Sequence, residues 1–190
     1  QRRIAINFQQ TINKSATLRG RGVHSGNVVR VTLKPAPPGR GVVFIRSDLP
    51  GSPEIRADIG RVSGTARGTT LGKGPARVMT VEHLLAAVAG CNIDNIIIEM
   101  EGAELPMGDG SALPYVDMIN AAGIEEQPEE RKVFFLRRPV YIGDEKGGVI
   151  IGLPFPVFRV STTIAFSHRL LDAQYLDCEI TTPAFTEEIA

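Results

Sequence analysis

The chain has 190 residues, of which 43% are apolar, and its 21 basic side chains balance 21 acidic ones. This length and composition suit one or two folded domains, and the longest mostly apolar stretch, residues 147–158, is too short and too interrupted by proline for a membrane-spanning helix. Two distant cysteines, Cys91 and Cys178, argue against a disulfide framework or a cysteine zinc site and, with no visible signal peptide, favour the cytoplasm.

Strand patterns come first along the chain. Residues 29–35 alternate apolar and polar side chains, which predicts a half-buried strand, and a second strand follows at 41–48 after a turn rich in proline and glycine. Because the two strands are consecutive, we predict that the opening third is a β-meander. Residues 92–101 are mostly apolar and predict a buried strand further along.

Two helices are predicted on either side of that buried strand. The first has Thr80 as its N-cap, Glu82 in its first turn and Gly90 as its end. The second covers residues 112–123, with Ser111 as its cap and a glycine as its last residue. These helices would cover one face of the sheet formed by the strands.

A charged segment at residues 125–132 contains a proline and shows no periodicity, which predicts a linker. It would separate a first domain, residues 1–127, from a second, residues 128–190. The second domain is again rich in predicted strands, within residues 133–143, 148–154, 157–166 and 175–182. Pro183 then predicts a short helix, too small to cover a sheet, so we expect one face of the second sheet to be left uncovered and the chain to be a fragment of a longer one.

The charges are distributed unevenly. Residues 1–80 hold 14 Lys and Arg against 3 Asp and Glu, whereas residues 81–190 hold 7 against 18. The basic half could meet an anionic ligand, or the opposite charges could simply keep the chain dispersed in water. Because aromatic residues do not alternate with the basic ones, nucleic-acid binding is not predicted.

Glu82 and His83 stand side by side at the start of the first predicted helix. Hydrolysis by a metal-bound water needs about three protein ligands on zinc and a carboxylate that accepts the proton, and this pair supplies part of that set. The H-E-x-x-H pattern of many zinc proteases is absent. From these two residues alone, a capping glutamate beside a structural histidine is the alternative interpretation.

The two other histidines are weaker candidates. His168 and Asp172 have a spacing that would place them on one face of a helix, as a metal site needs, but they follow a predicted strand. His24 lies in a turn that contains glycine, where a role in the turn is the simpler interpretation.

Several longer motifs resemble a known family. They are GRGVHSGNVVRVTLKPAPPGRGVVFIRSDLP, TTLGKGPARVMTVEHLLAAVAG, NIDNIIIEMEGAELPMGDGSALPYVDMI and the final FTEEIA. In this order they resemble the zinc-dependent UDP-3-O-acyl-N-acetylglucosamine deacetylases of lipid A biosynthesis over essentially the whole chain. The most specific motifs are T-V-E-H-L and, about thirty residues later, D-G-S-A-x-P.

The resemblance implies an α+β fold of two domains, each with a sheet packed against two helices, of which the second is incomplete in this chain. It also implies that Glu82 is the general base and that His83 is a ligand of Zn²⁺. In the family the other two ligands come from an H-x-x-x-D helix late in the second domain, beyond Ala190, so His168 and Asp172 are not expected to be ligands. The threonine that polarises the carbonyl and the histidine that serves as general acid would also lie beyond Ala190. Asp109, in the second motif, is expected to form a turn and begin a helix.

The resemblance also implies contacts with a small-molecule substrate. Phe166 matches the aromatic residue that contacts the uridine base, although Ala165 replaces the acidic residue often found before it. Residues 65–70, with Ala66 and Arg67, match the first-domain insert that approaches the active site. The diphosphate could be held by the basic half of the chain, with no residue assigned.

The sequence therefore predicts an enzyme that hydrolyses the N-acetyl group of UDP-3-O-acyl-N-acetylglucosamine, with this chain alone inactive. The alternative is a noncatalytic module of the same fold that binds a nucleotide-sugar or a protein, which would need neither zinc nor Glu82. A fusion to a second enzyme is a further possibility.

Overall fold

The computed structural model describes residues 7–145, 147–168 and 170–190. It divides the chain into two compact units: one runs through Arg131 and includes Thr186–Ala190, and the other is Lys132–Phe185. Mostly antiparallel strands are combined with a few helices, which confirms the predicted α+β class. No helix within the described residues is long and apolar enough to cross a membrane.

The first unit contains the larger set of elements. Its strands are β1 (Phe8–Ile12), β2 (Ala16–Arg21), β3 (Val28–Pro35), β4 (Val42–Arg46), β5 (Glu54–Arg56), β6 (Val62–Gly64), β7 (Thr70–Lys73), β8 (Ala76–Met79), β9 (Ile96–Glu101) and β10 (Ile124–Glu130). Its helices are α1 (Glu82–Gly90) and α2 (Leu113–Ala122), with a 3₁₀ turn at Ile59–Arg61.

The main sheet of this unit has the strand order β2-β3-β9-β4-β5. The predicted strands at 29–35 and 41–48 are confirmed as β3 and β4, but the predicted meander is wrong. β9 lies between them, antiparallel to β3 and parallel to β4. The side chains of Ile96, Ile98 and Met100 are fully buried, and pairing with one strand on each side satisfies the backbone groups along both edges of β9.

The core lies between this sheet and the two helices. α1 buries Leu84, Ala87 and Val88, and α2 buries residues of the same spacing, including Tyr115 and Ile119. The helices contact each other, and α2 also contacts β2. The alternation predicted for β3 is confirmed, because Val29, Val31 and Leu33 are all buried.

The start of α1 differs from the predicted one, whereas its end at Gly90 agrees with the prediction. The helix begins at Glu82 with Val81 at the N-cap position and no capping side chain, so Thr80 is not the cap. Gly90 is the last helical residue, and the left-handed backbone conformation that ends the helix belongs to Asn92, with φ of 57°. The glycine at position 123 does end α2, and the Ser111 hydroxyl accepts a hydrogen bond near its start, from the N–H of Leu113 at 3.1 Å.

Most of the predicted linker at 125–132 is not irregular but forms strand β10, paired antiparallel with β1, and the two units divide at its end, after Arg131. The charged side chains of this strand are exposed, and only Gln127 is buried. Its amide donates to the carbonyl of Ala36 at 2.8 Å and accepts from Asn95 at 2.7 Å. A strand with a single inward residue has no alternating apolar pattern, which explains the incorrect prediction.

The second unit contains two hairpins. Strands β11 (Val140–Gly143) and β12 (Val149–Gly152) form one, and β13 (Arg159–Ile164) and β14 (Gln174–Glu179) form the other. A single turn, α3 (Thr182–Ala184), starts one residue before Pro183 and is capped by Thr181. A π-helical turn follows at Phe185–Ile189, and its residues from Thr186 onward belong to the first unit.

Apolar side chains on these hairpins are exposed. Every residue of β11 and β13 is exposed, and Tyr141 and Ile150 each have 72% of their surface accessible to water. Apolar surface of the second unit is left uncovered, as expected, but it lies on two separate two-stranded hairpins and not on one face of a single sheet. Residues 133–139, predicted to be strand, are not.

Candidate active site

Glu82 and His83 lie in the first turn of α1, and both side chains are half-buried. The chain reaches this helix from the end of β8 through Thr80, whose φ of 59° is rare for a β-branched residue. Oε1 of Glu82 accepts a hydrogen bond from the backbone N–H of Thr69. Within the described part of the chain, its other oxygen, Oε2, accepts none, which leaves it available to take a proton.

The backbone of residues 65–69 approaches Glu82 closely. Arg67 and Gly68 have φ values of 57° and 149°. A Cβ atom built on Gly68 would lie 3.7 Å from Oε1 of Glu82, 3.7 Å from Oγ1 of Thr80 and 3.8 Å from Nε2 of His24. Three polar side chains from two separate segments therefore lie around this glycine.

His24 reaches the same place from the turn between β2 and β3. Its Nε2 lies 2.9 Å from the carbonyl oxygen of Arg67, and because a carbonyl only accepts hydrogen bonds, this nitrogen carries a proton. The backbone N–H of His24 donates to Oε1 of Glu104 at 2.8 Å. The sequence predicted a role in a turn for His24 and missed its place beside Glu82.

Glu104 was also missed by the sequence analysis. Its side chain is 1% exposed and accepts hydrogen bonds from the backbone N–H groups of His24 at 2.8 Å and Ser25 at 2.7 Å, and from the hydroxyl of Thr80 at 3.4 Å. Burial by itself raises the pKa of Glu104, but the hydrogen bonds from Ser25 and His24 outweigh it and bring the pKa below its usual range. The sequence feature that could have indicated Glu104 is an acidic residue between apolar ones, in AELP at residues 103–106.

His83 lies near Asp109, in the segment that leads into α2. The Ser111 hydroxyl and N–H, both bound to Oδ1 of Asp109 at 2.7 Å and 3.0 Å, lower the pKa of Asp109, and His83 contributes a smaller electrostatic effect. Asp109 thus forms the turn before the helix, as predicted. The His83 side chain makes no hydrogen bond with any described residue, so its nitrogens are available to a metal.

The described residues do not complete a metal site by themselves. None of their His, Cys, Asp and Glu side chains form a group of three or more that could hold a metal ion. His168 and Asp172 lie in the second unit, and there Nδ1 of His168 accepts from the N–H of Leu170 at 3.2 Å in a turn, not on a helix. His83 is the predicted ligand that fits, as one donor of a larger set.

The predicted substrate contacts are found in different units. Ala66 and Arg67 are exposed, on the loop between β6 and β7 that approaches Glu82. Phe166 follows β13 in the second unit and is 44% exposed. Exposed positions of this kind are open to a ligand.

Comparison with known proteins gives a consistent result. Residues 9–190 match the family model described as UDP-3-O-acyl N-acetylglycosamine deacetylase. The chain is 42% identical over 184 residues to the UDP-3-O-acyl-N-acetylglucosamine deacetylase of Myxococcus xanthus, covering 96% of this chain and 58% of that protein. It is 39% identical to the protein of the same name from Bdellovibrio bacteriovorus, with 96% and 60% covered, and 44% identical to that from Nitratidesulfovibrio vulgaris, with 94% and 58% covered. The chain thus spans about three fifths of the length of these relatives.

Proposed function

The chain belongs to the UDP-3-O-acyl N-acetylglycosamine deacetylase family, and from this premise we propose that the whole protein hydrolyses the N-acetyl group of UDP-3-O-acyl-N-acetylglucosamine in lipid A biosynthesis. The observation that supports the chemistry is Glu82, a half-buried carboxylate with one oxygen held by the N–H of Thr69. An oriented carboxylate with a second oxygen left open is what a general base requires.

Glu82 accepts the proton of the water that attacks the acetamide carbonyl. The C–O bond forms as the O–H bond of the water breaks, and the carbonyl electron pair moves to its oxygen. Collapse of this tetrahedral species breaks the C–N bond, the nitrogen takes up a proton, and acetate and a free glucosamine amine are released. The hydrogen bond from Thr69 fixes one carboxylate oxygen so that the other faces the water.

We propose His83 as one of the zinc ligands. Zinc, when bound, polarises a carbonyl and lowers the pKa of water. What supports this role in the chain itself is the half-buried imidazole next to Glu82, with no hydrogen-bond partner among the described residues. The further ligands that the family resemblance implies have no counterpart among those residues.

Substrate contacts are proposed for the exposed loop residues Ala66 and Arg67, because their loop approaches Glu82, and for Phe166, because it matches the family's aromatic residue that contacts the uridine base. A cytoplasmic location is supported by two free thiols, Cys91 and Cys178, as expected in a reducing compartment. The predicted partner is this small molecule, with no nucleic acid.

The test is an assay of acetate release from UDP-3-O-acyl-N-acetylglucosamine by the whole protein, together with its zinc content. Glu82→Gln is expected to keep zinc and to lose about 10²- to 10⁴-fold in turnover, as general bases do. Glu125→Gln, an exposed residue of β10, is the matched control and should be fully active. Full activity of Glu82→Gln would refute the role of this residue, and a protein with neither zinc nor turnover would favour the binding module.

A further inference from the structure

We propose that Glu104 is a positioning residue for this deacetylation: it fixes the turn that carries His24, and His24 in turn fixes the backbone that orients Glu82. This inference rests on the function proposed above for Glu82. Glu104 itself touches neither Glu82 nor His83 in any hydrogen bond of the structure, so its effect passes through other residues.

The position of Glu104 is set by backbone pairing. The N–H of Met79, at the end of β8, donates to the carbonyl of Ala103 at 2.8 Å, and the N–H of Leu105 donates to the carbonyl of Met79 at 3.1 Å. This short parallel bridge places Glu104 next to Thr80, the residue from which the chain turns into α1. The buried carboxylate of Glu104 is thereby placed beside the residue that precedes the first turn of α1.

The carboxylate then links two segments that are distant in sequence. Its oxygens accept the N–H groups of His24 and Ser25, about 80 residues earlier in the chain, and the hydroxyl of Thr80. A Cβ on Gly22 would lie 2.3 Å from Oε2 of Glu104, so the start of this turn has room for the carboxylate only because it is glycine. Charged acceptors form stronger hydrogen bonds than neutral ones, and a buried one is costly to leave unsatisfied.

The turn held by Glu104 supports the loop that contacts Glu82. His24 donates from Nε2 to the carbonyl of Arg67, two residues before Thr69, and the N–H of Thr69 donates to Glu82. The backbone between them, at Arg67 and Gly68, has left-handed φ values that depend on surrounding contacts to persist. Loss of the Glu104 contacts would therefore let His24 move. The loop at 65–69 would then lose its hydrogen bond to His24, and Thr69 would no longer hold Glu82 in one orientation.

Glu104→Gln in the whole protein is the direct test. Glutamine has nearly the same shape, but its NH₂ group would face a backbone N–H in place of an acceptor, so at least one hydrogen bond to the turn is lost. We expect kcat to fall about 10- to 100-fold, as displaced catalytic groups do, with KM and zinc content nearly unchanged. Arg46→Lys, which removes buried contacts elsewhere in the same unit, is the control for general destabilisation and should keep its kcat.

Two further variants test whether Glu104 acts through His24 and its turn. His24→Phe removes the bond to Arg67, and the double variant with Glu104→Gln should be no slower than the slower single variant, because both act through one path. Gly22→Ala displaces the turn while Glu104 remains, and it carries the same expected loss of kcat if Glu104→Gln does not fold. Normal kcat in Glu104→Gln or in Gly22→Ala, multiplicative losses in the double variant, or an equal loss in Arg46→Lys would each overturn the proposal.

The outcome for Glu82 separates this proposal from the proposed function. If Glu82→Gln is inactive and Glu104→Gln is normal, only the positioning role fails. If Glu82→Gln is fully active, the assignment of the base fails, whatever Glu104→Gln does.

Discussion

The backbone N–H of Thr69 donates a hydrogen bond to Oε1 of Glu82 across thirteen positions of sequence. The residue before Thr69 is Gly68, whose φ is 149°. Residues other than glycine rarely adopt this backbone conformation. The proposed base is therefore oriented by a loop whose path depends on a glycine.

Gly68→Ala is predicted to lower kcat by about tenfold or more, because the strained backbone shifts and Thr69 moves away from Glu82. Space is not the obstacle, since the added Cβ would be in ordinary contact at 3.7 Å. Steady-state kinetics of the whole protein measure the effect. Gly74→Ala is the control: Gly74 also has a positive φ, of 57°, but no atom within 4 Å of the new Cβ, so that variant should keep its kcat.

His83→Ala is predicted to lower the zinc occupancy of the whole protein, because it removes one of about three protein ligands. Metal analysis of the purified protein measures this. His168→Ala should leave zinc unchanged. The chain of 190 residues on its own should hold zinc weakly, and one tightly bound zinc in that chain would show that His168 and Asp172 are ligands after all.

Arg46→Lys is predicted to cost about 1–3 kcal/mol in the free energy of unfolding. Arg46 is 5% exposed; its guanidinium donates to both oxygens of Asp48 at 2.7 and 2.8 Å and to the carbonyls of Pro75 and Arg77 at 3.1 and 2.7 Å. Lysine cannot make this fork of contacts. Urea denaturation provides the measurement, and Arg40→Lys, in a half-exposed pair with Glu54, should cost less than about 1 kcal/mol.

Asp48→Asn is predicted to destabilise the protein more at pH 7 than at pH 3. The hydrogen bonds from Arg46 lower the pKa of Asp48 despite partial burial. Because the pKa in the folded state lies below that in the unfolded state, the stabilisation is present above the unfolded value of about 3.9 and is lost as pH falls through the folded value. Equal costs of the substitution at both pH values would be inconsistent with this assignment.

The chain of 190 residues is predicted to associate with itself and to bind a hydrophobic dye through its second unit. Ile142 and Ile150 pair across β11 and β12 and are 66% and 72% exposed, among other apolar neighbours. Replacement of both by serine should reduce dye fluorescence and the association seen by ultracentrifugation. Serine at Val23 and Ile59, exposed apolar residues of the first unit, should leave both measurements unchanged.

The sequence predicted those parts of the fold that depend on local patterns. Val29, Val31 and Leu33 alternate because one face of β3 is buried, and Gly123 ends α2 because it has a left-handed backbone with φ of 72°. The position of β9 between β3 and β4 has no local signal, since it depends on pairing with strands that are distant in the sequence. Pairing of β10 with β1 was missed for a related reason, because only Gln127 faces inward.

The candidate site was predicted in part. Glu82 and His83 stood out through their motif and their place at a helix start, and the structure has them there. Glu104 did not, because the donors that give it a role are backbone N–H groups of His24 and Ser25, and a backbone donor has no signature in the sequence. Thr80 was predicted to be a helix cap, but its hydroxyl donates to Glu104 and its backbone, with φ of 59°, redirects the chain from β8 into α1.

The central position of β9 also determines the order in which the first unit can assemble as it leaves the ribosome. The edges of β3 and β4 that face each other across β9 stay unpaired until Ile96–Glu101 has been synthesised, about fifty residues after β4. Helix α1, with Glu82 and His83, is made before that strand and has no complete sheet to pack on until it arrives. Folding of the end of α1 that carries Glu82 and His83 is thus coupled to a late, long-range strand insertion, the type of step that is slow and leaves unpaired strand edges exposed to wrong partners.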